Sequence, residues 1–110
     1  MKKPKADLLQ GTLELLLLRI LRSGPLHGWD VMQRLQLISG EVLSVTPGAL
    51  YPALHRLENQ GWLKAEWRLS ENRRRAKFYA LTGAGRKQLD AELASWRRLS
   101  SAISLVAETA

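Results

Sequence analysis

The chain has no cysteine. Disulfides, thiolate metal sites and cysteine nucleophiles are excluded, and the composition suits a reducing cytoplasm, the expected location. Histidine is nearly absent too. Neither His27 nor His55 has a carboxylate partner at metal-ligand spacing. There is no Gly-rich phosphate loop and no Ser/His/Asp set, so neither an enzyme nor a bound cofactor is expected. No stretch approaches the roughly 18 apolar residues that a membrane span needs. The basic start, Met1-Lys2-Lys3-Pro4-Lys5, precedes an apolar stretch from Leu13 to Leu21 that Glu14 and Arg19 interrupt. No small-residue cleavage site follows, so no signal peptide is expected. Acidic residues are in short supply: 10 Asp plus Glu stand against 17 Lys plus Arg, a net charge of +7. Such an excess favours a polyanionic partner: DNA, RNA or an anionic membrane surface.

What is present reads as one domain. The chain has 110 residues, 45% of them apolar, too many for a disordered segment. Residues 1–6 form a basic arm, and Asp7 can cap a first helix. Leu8, Leu9, Leu13, Leu15 to Leu18, Ile20 and Leu21 make that helix apolar around much of its circumference, so it must be buried on more than one side. Gly24 and Pro25 end it. A second helix is expected from about His27 to Ile38, with Val31, Leu35 and Ile38 as its buried stripe and Ser39-Gly40 as its stop. Val42, Leu43 and Val45 form a short extended link. Thr46 and Pro47 open a third helix, which carries Leu50, Leu54 and Leu57 inward and ends at Gly61. Pro52 should remove one hydrogen bond from it and bend it or delay its start. Residues 62–69 and 75–82 alternate as two strands, with Leu63, Ala65, Trp67 and Leu69 on one face of the first and Tyr79 and Leu81 on one face of the second. The polar tip Ser70-Glu71-Asn72-Arg73-Arg74 joins them. Thr82-Gly83 then leads into a last helix at about 84–107.

Three helices, a hairpin and a helix make a mainly α fold with a small antiparallel β-hairpin. The architecture is a winged helix-turn-helix with a C-terminal dimerisation helix, although the link at 39–45 exceeds the usual turn. The expected division is a basic arm at 1–6, a DNA-binding winged helix-turn-helix at 7–82 and a dimerisation helix at 83–110. The third helix would point its N-terminal end into the major groove. Thr46, Gly48, Ala49, Tyr51 and Pro52 face outward there, and His55 and Arg56 follow one turn later. Thr and Ala methyls can touch a thymine methyl, Gly48 lets the backbone approach, and Tyr51 can donate to a phosphate. His27 caps the second helix or touches phosphate. The hairpin carries Lys64, Arg68, Arg73, Arg74, Arg75 and Lys77 against Glu66 and Glu71. Three successive arginines repel one another, and phosphates or a narrow minor groove relieve that repulsion. In the last helix Leu89, Leu93, Trp96, Leu99, Ile103 and Val106 fall in steps of 4, 3, 3, 4 and 3, close to a coiled-coil seam. A homodimer is therefore expected, which suits a two-fold symmetric operator. The competing readings are a protein-interaction module and an RNA-binding winged helix.

Several words of the sequence resemble the phenolic-acid-responsive, PadR-type repressors. They are Gly11-Thr12-Leu13-Glu14-Leu15, Gly24-Pro25-Leu26-His27-Gly28-Trp29, residues 47–58 from Pro47 to Glu58, Gly61-Trp62-Leu63, and residues 74–85 from Arg74 to Gly85. The resemblance spans about residues 6–105. It implies operator binding by a winged helix whose last helix crosses to a second subunit, in the subclass with one C-terminal helix. Trp29 stands where many members have Tyr, so a phosphate contact there would come from its indole N–H. Some members bind planar aromatic effectors in a pore at the dimer centre. By that likeness Trp96 would stack on an effector, and Leu8, Leu15, Leu18 and Leu93 would wall it.

Overall fold

The computed structural model describes residues 10–109. The basic arm, the Asp7 cap and Leu8 lie outside the described residues. Seven elements follow in order: α1 (Gln10–Leu21), β1 (Leu26–His27), α2 (Gly28–Ile38), α3 (Pro47–Asn59), β2 (Leu63–Leu69), β3 (Arg75–Leu81) and α4 (Gly83–Thr109). The fold is a winged helix, mainly helical with a small antiparallel sheet. No helix among the described residues is long and apolar enough to cross a membrane.

The wide apolar surface of α1 makes it the central helix. Leu13, Leu15, Leu17, Leu18, Ile20 and Leu21 are all buried, with α2, α3, α4 and β3 packed around them. Val31 and Leu35 of α2 and Leu50, Ala53, Leu54 and Leu57 of α3 complete the core with Leu63, Tyr79 and Leu89. Ile38, expected in the buried stripe of α2, is 74% exposed instead, because α2 ends as it leaves the core.

The helix ends use local hydrogen bonds. The Nδ1 atom of His27 accepts from the Asp30 N–H at 3.4 Å, and the Thr46 hydroxyl accepts from the Ala49 N–H at 3.3 Å. At the end of α3 the Trp62 N–H donates to the Leu57 carbonyl, and the Gly61 N–H to that of Glu58. This double closure needs a left-handed residue, and Gly61 supplies it with φ +79°. Pro52 neither breaks α3 nor delays its start. It deprives the Gly48 carbonyl of a helical N–H donor on the exposed side, where solvent can replace the donor.

The sheet has three strands in the order β1-β3-β2, all antiparallel. Strand β1 was not expected. Its two residues pair with Tyr79 and Phe78, and two residues are too few to show alternation. Leu63 and Tyr79 pack inward, whereas Trp67 and Leu69 on the same face of β2 are 58% and 68% exposed, because the hairpin runs out past α3. Its tip is a tight loop: the Ser70 N–H donates to the Arg74 carbonyl, the Arg73 N–H donates to the Ser70 carbonyl, and Arg73 is left-handed at φ +59°.

Helix α4 is anchored through Thr82. The threonine hydroxyl donates to the Gly61 carbonyl at 2.7 Å and accepts from the Gly85 N–H at 3.0 Å. A Cβ at Gly85 would collide with the Trp62 carbonyl. The helix is 27 residues long, about 40 Å, and starts and ends slightly beyond the expected range.

Candidate nucleic-acid interface

Helix α3 turns Leu50, Ala53, Leu54 and Leu57 into the core, which leaves its opposite face open. Thr46, Gly48, Ala49, Tyr51, Pro52 and His55 are all exposed along it. Tyr51 is held against the start of α2. A Cβ on Gly28 would stand 2.6 Å from Tyr51 Cε1 and 2.9 Å from its hydroxyl oxygen. The bare glycine thus seats the tyrosine ring while 45% of the residue stays accessible.

His27 is the cap of α2, and its Nε2 lies 3.2 Å from the Asp30 carboxylate. Both ring nitrogens therefore have partners within α2. Trp29, next along, is exposed. It stands between two grooves. One, of about 440 Å³, runs between α2 and the start of α3. The other, of about 750 Å³, separates α2 from the hairpin and is lined by His27, Arg34, Arg74, Arg75 and Phe78 among others.

The basic residues of the hairpin and α3 divide into two groups. Arg73, Arg74 and Arg75 have no ion-pair partner among the described residues. Arg75 rests over the Trp67 ring at 5.4 Å, which orders its guanidinium without neutralising it. Lys77 and Arg56, by contrast, hold the fold together. Lys77 Nζ lies 3.2 Å from Glu58 and 5.4 Å from the Tyr79 ring centre. The hydrogen bond to Glu58 holds the Lys77 pKa above its ordinary value, against the effect of burial. Arg56 Nε donates to Glu14 at 2.9 Å and ties α3 to α1. Arg68 pairs with Glu66 and lies over Phe78, and Lys64 is exposed.

Along α4 burial ends early. Leu89 is fully buried in its own chain's core, so its expected place in a subunit seam is corrected. Leu93 is half-buried. Beyond it Trp96, Leu99, Ile103, Leu105 and Val106 are 46% to 65% exposed. The expected effector wall is reduced in the same way. Leu18 is fully buried and Leu15 is 9% exposed, so both serve the core and are not free to wall a ligand. Leu93 and Trp96 keep accessible surface.

Two residues that sequence reasoning did not single out belong to this surface. Gly28 seats Tyr51, and Arg34 borders the groove between α2 and the hairpin. Helical spacing from Val31 and Leu35 could have placed Arg34 outside the core, but the nearness of the hairpin is a tertiary fact. Among the described residues no cluster of His, Asp or Glu could hold a metal ion.

Comparison with known proteins gives consistent matches. The model of the transcriptional regulator PadR-like family matches residues 17–91. An uncharacterised 37.1 kDa protein of a Streptomyces fradiae transposon is 39% identical over 90 residues, which make up 82% of this chain and 24% of that protein. A transcriptional regulator of Mycobacterium tuberculosis is 51% identical over 45 residues, 41% of each chain. The chain thus spans about a quarter and about two fifths of the curated relatives it matches. Among solved structures, a PadR family transcriptional regulator from Eggerthella lenta superposes with a TM-score of 0.79 at 31% identity, covering 92% of this chain and 86% of that one.

Proposed function

The chain belongs to the PadR-like family of transcriptional regulators, and from that premise we propose that it is a dimeric repressor that binds operator DNA. One observation carries the reading: the open N-terminal face of α3 lies in the same molecule as a projecting hairpin with three arginines that have no ion pair among the described residues. An exposed helix start suits the major groove, and arginines on a projecting hairpin suit phosphates or the minor groove. Thr46, Gly48, Ala49, Tyr51 and His55 face the bases and nearby backbone. Trp29, Arg73, Arg74 and Arg75 hold the flanking phosphates. His27, Arg56 and Lys77 support this surface from within the fold.

The chain divides its labour between residues 7–82, which read DNA, and residues 83–110, which pair two copies. Dimerisation uses Leu93, Trp96, Leu99, Ile103 and Val106, an apolar row that the chain's own core leaves uncovered. Two readers related by a two-fold axis suit a palindromic operator, and such a repressor works in the cytoplasm beside the chromosome. A planar aromatic effector at the dimer centre would release the repressor; of the expected effector residues that the structure describes, Trp96 and Leu93 keep accessible surface for it to stack on.

The test is a fluorescence-anisotropy titration at several salt concentrations, with DNA from upstream of the protein's own gene and a scrambled duplex as control. Tighter binding to the upstream DNA that falls steeply with salt is expected. Equal, weak binding to both duplexes refutes operator recognition. Stronger binding to duplex RNA would move the assignment to RNA.

A further inference from the structure

Among the described residues the sheet carries three cations over aromatic rings. Arg68 lies 5.5 Å from the Phe78 ring centre, Lys77 5.4 Å from that of Tyr79 and Arg75 5.4 Å from that of Trp67. Two of these cations also hold a carboxylate: Arg68 pairs with Glu66, and Lys77 with Glu58. Arg75 has no ion pair among the described residues. Its charge is held in place by a ring that does not cancel it.

The Trp67 ring does little for the core. Strand β2 turns Leu63 and Trp67 to one face, where Leu63 is buried and Trp67 is exposed. Trp67 stands opposite Lys77 in the ladder and Leu69 opposite Arg75, so the indole and the guanidinium are diagonal neighbours on that face. The backbone under Arg75 is fixed as well. Arg75 opens β3, and the Ser70 N–H donates to the Arg74 carbonyl just before it. A long side chain loses rotamer freedom when it docks, and a guanidinium already stacked on a ring has less to lose. With Trp29 and Arg74, Arg75 also borders the groove between α2 and the hairpin. These are residues assigned above to flanking phosphates.

We propose that Trp67 is a positioning residue for DNA binding: its indole face holds the Arg75 guanidinium in one place on the hairpin, with the charge open to a backbone phosphate. Trp67 acts through Arg75 and not by a contact of its own. The inference deepens the DNA-binding reading and rests on it.

The test uses the full chain in the anisotropy titration, with the upstream and the scrambled duplex. Trp67→Leu removes the ring and keeps an apolar side chain. It should weaken binding about two- to tenfold, the worth of ordering one long side chain. The factor should be the same on both duplexes, since phosphates carry no sequence. Trp67→Phe keeps a ring face and should bind within about twofold of the unaltered chain. Arg75→Gln should weaken binding and lower the slope of log affinity against log salt by about 1. In that background Trp67→Leu should have no further effect. The far-ultraviolet circular dichroism melts should coincide, because both side chains are exposed. Without DNA, the Arg75 δ protons should show an upfield ring-current shift in nuclear magnetic resonance that Trp67→Leu abolishes. The proposal is overturned if Trp67→Leu binds as tightly as the unaltered chain, if its effect persists in Arg75→Gln, or if Trp67→Phe is as weak as Trp67→Leu. It is also overturned if the loss appears on the upstream duplex alone, or if the ring-current shift is absent. Equal binding of the unaltered chain to both duplexes would instead refute operator recognition, and the same variants would still decide the role of Trp67 on either duplex.

Discussion

A methyl group on Gly28 would press on the ring of Tyr51, whose edge lies 2.6 Å from that position. The ring is the far end of a half-exposed side chain, so it can swing away at small cost to stability. Gly28→Ala should therefore change the unfolding free energy by less than about 1 kcal/mol, yet weaken operator binding roughly two- to tenfold, the worth of one contact. In a Tyr51→Ala background the same substitution should have no further effect on affinity. A persistent effect there would show that Gly28 acts by another route. The wing arginines make a separate case. Arg73 is left-handed, so Arg73→Gly removes the charge and keeps the turn. Combined with Arg74→Ala it should lower the slope of log affinity against log salt by about 2. Lys77→Ala should leave that slope alone, because Glu58 already holds the lysine. An unchanged slope in the arginine variant, or a lowered one in Lys77→Ala, would reverse this assignment.

Among the elements, the joint between β3 and α3 has a pH signature. Lys77 has a raised pKa, first from its hydrogen bond to Glu58, and Tyr79 has a raised pKa, first from burial. In both cases the folded state holds its proton more tightly than the unfolded state. The stabilisation is thus fully present below the ordinary values of 10.0 and 10.5 and is lost as pH rises through the folded ones. The thermal midpoint should fall from about pH 10 upward, and Tyr79→Phe should flatten that fall. An equally steep fall in the variant would place the titration elsewhere. The start of α3 has a simpler test. Thr46→Ala removes the cap on the Ala49 N–H and should cost about 1 kcal/mol in chemical denaturation.

For the whole molecule, the decisive feature is where α4 leaves the core. Leu89 is buried, and from Trp96 onward the large apolar residues are 46% to 65% exposed. Trp96→Asp would place an unpaired charge in the proposed seam and should give a monomer whose melting temperature no longer depends on protein concentration. A variant that still sediments as a dimer would move the interface off this face. Leu89→Ala should instead cost about 2–5 kcal/mol of stability through a cavity in the chain's own core.

Much of this was legible in the sequence. The caps at His27 and Thr46, the stop at Gly61, the inward leucines of α3 and the two long strands all follow from local rules. Caps and turns depend on hydrogen bonds between near neighbours, and amphipathic periodicity repeats within a single element. The basic hairpin and the open face of α3 were legible for the same reason. Strand β1 was not, because its two residues become a strand only when Phe78 and Tyr79 arrive beside them. Nor could periodicity divide the last helix. The row from Leu89 to Val106 has one rhythm, yet the globular core reaches only its beginning. Nothing local could pair Arg56 with Glu14 or Lys77 with Glu58, or leave Arg73 and Arg74 without an ion pair among the described residues. Secondary structure and family likeness were thus determined by the sequence itself, through contacts a few residues apart. Tertiary structure alone decided which charges are spent within the fold and which apolar surface remains for a partner, because both depend on groups brought together from distant parts of the chain.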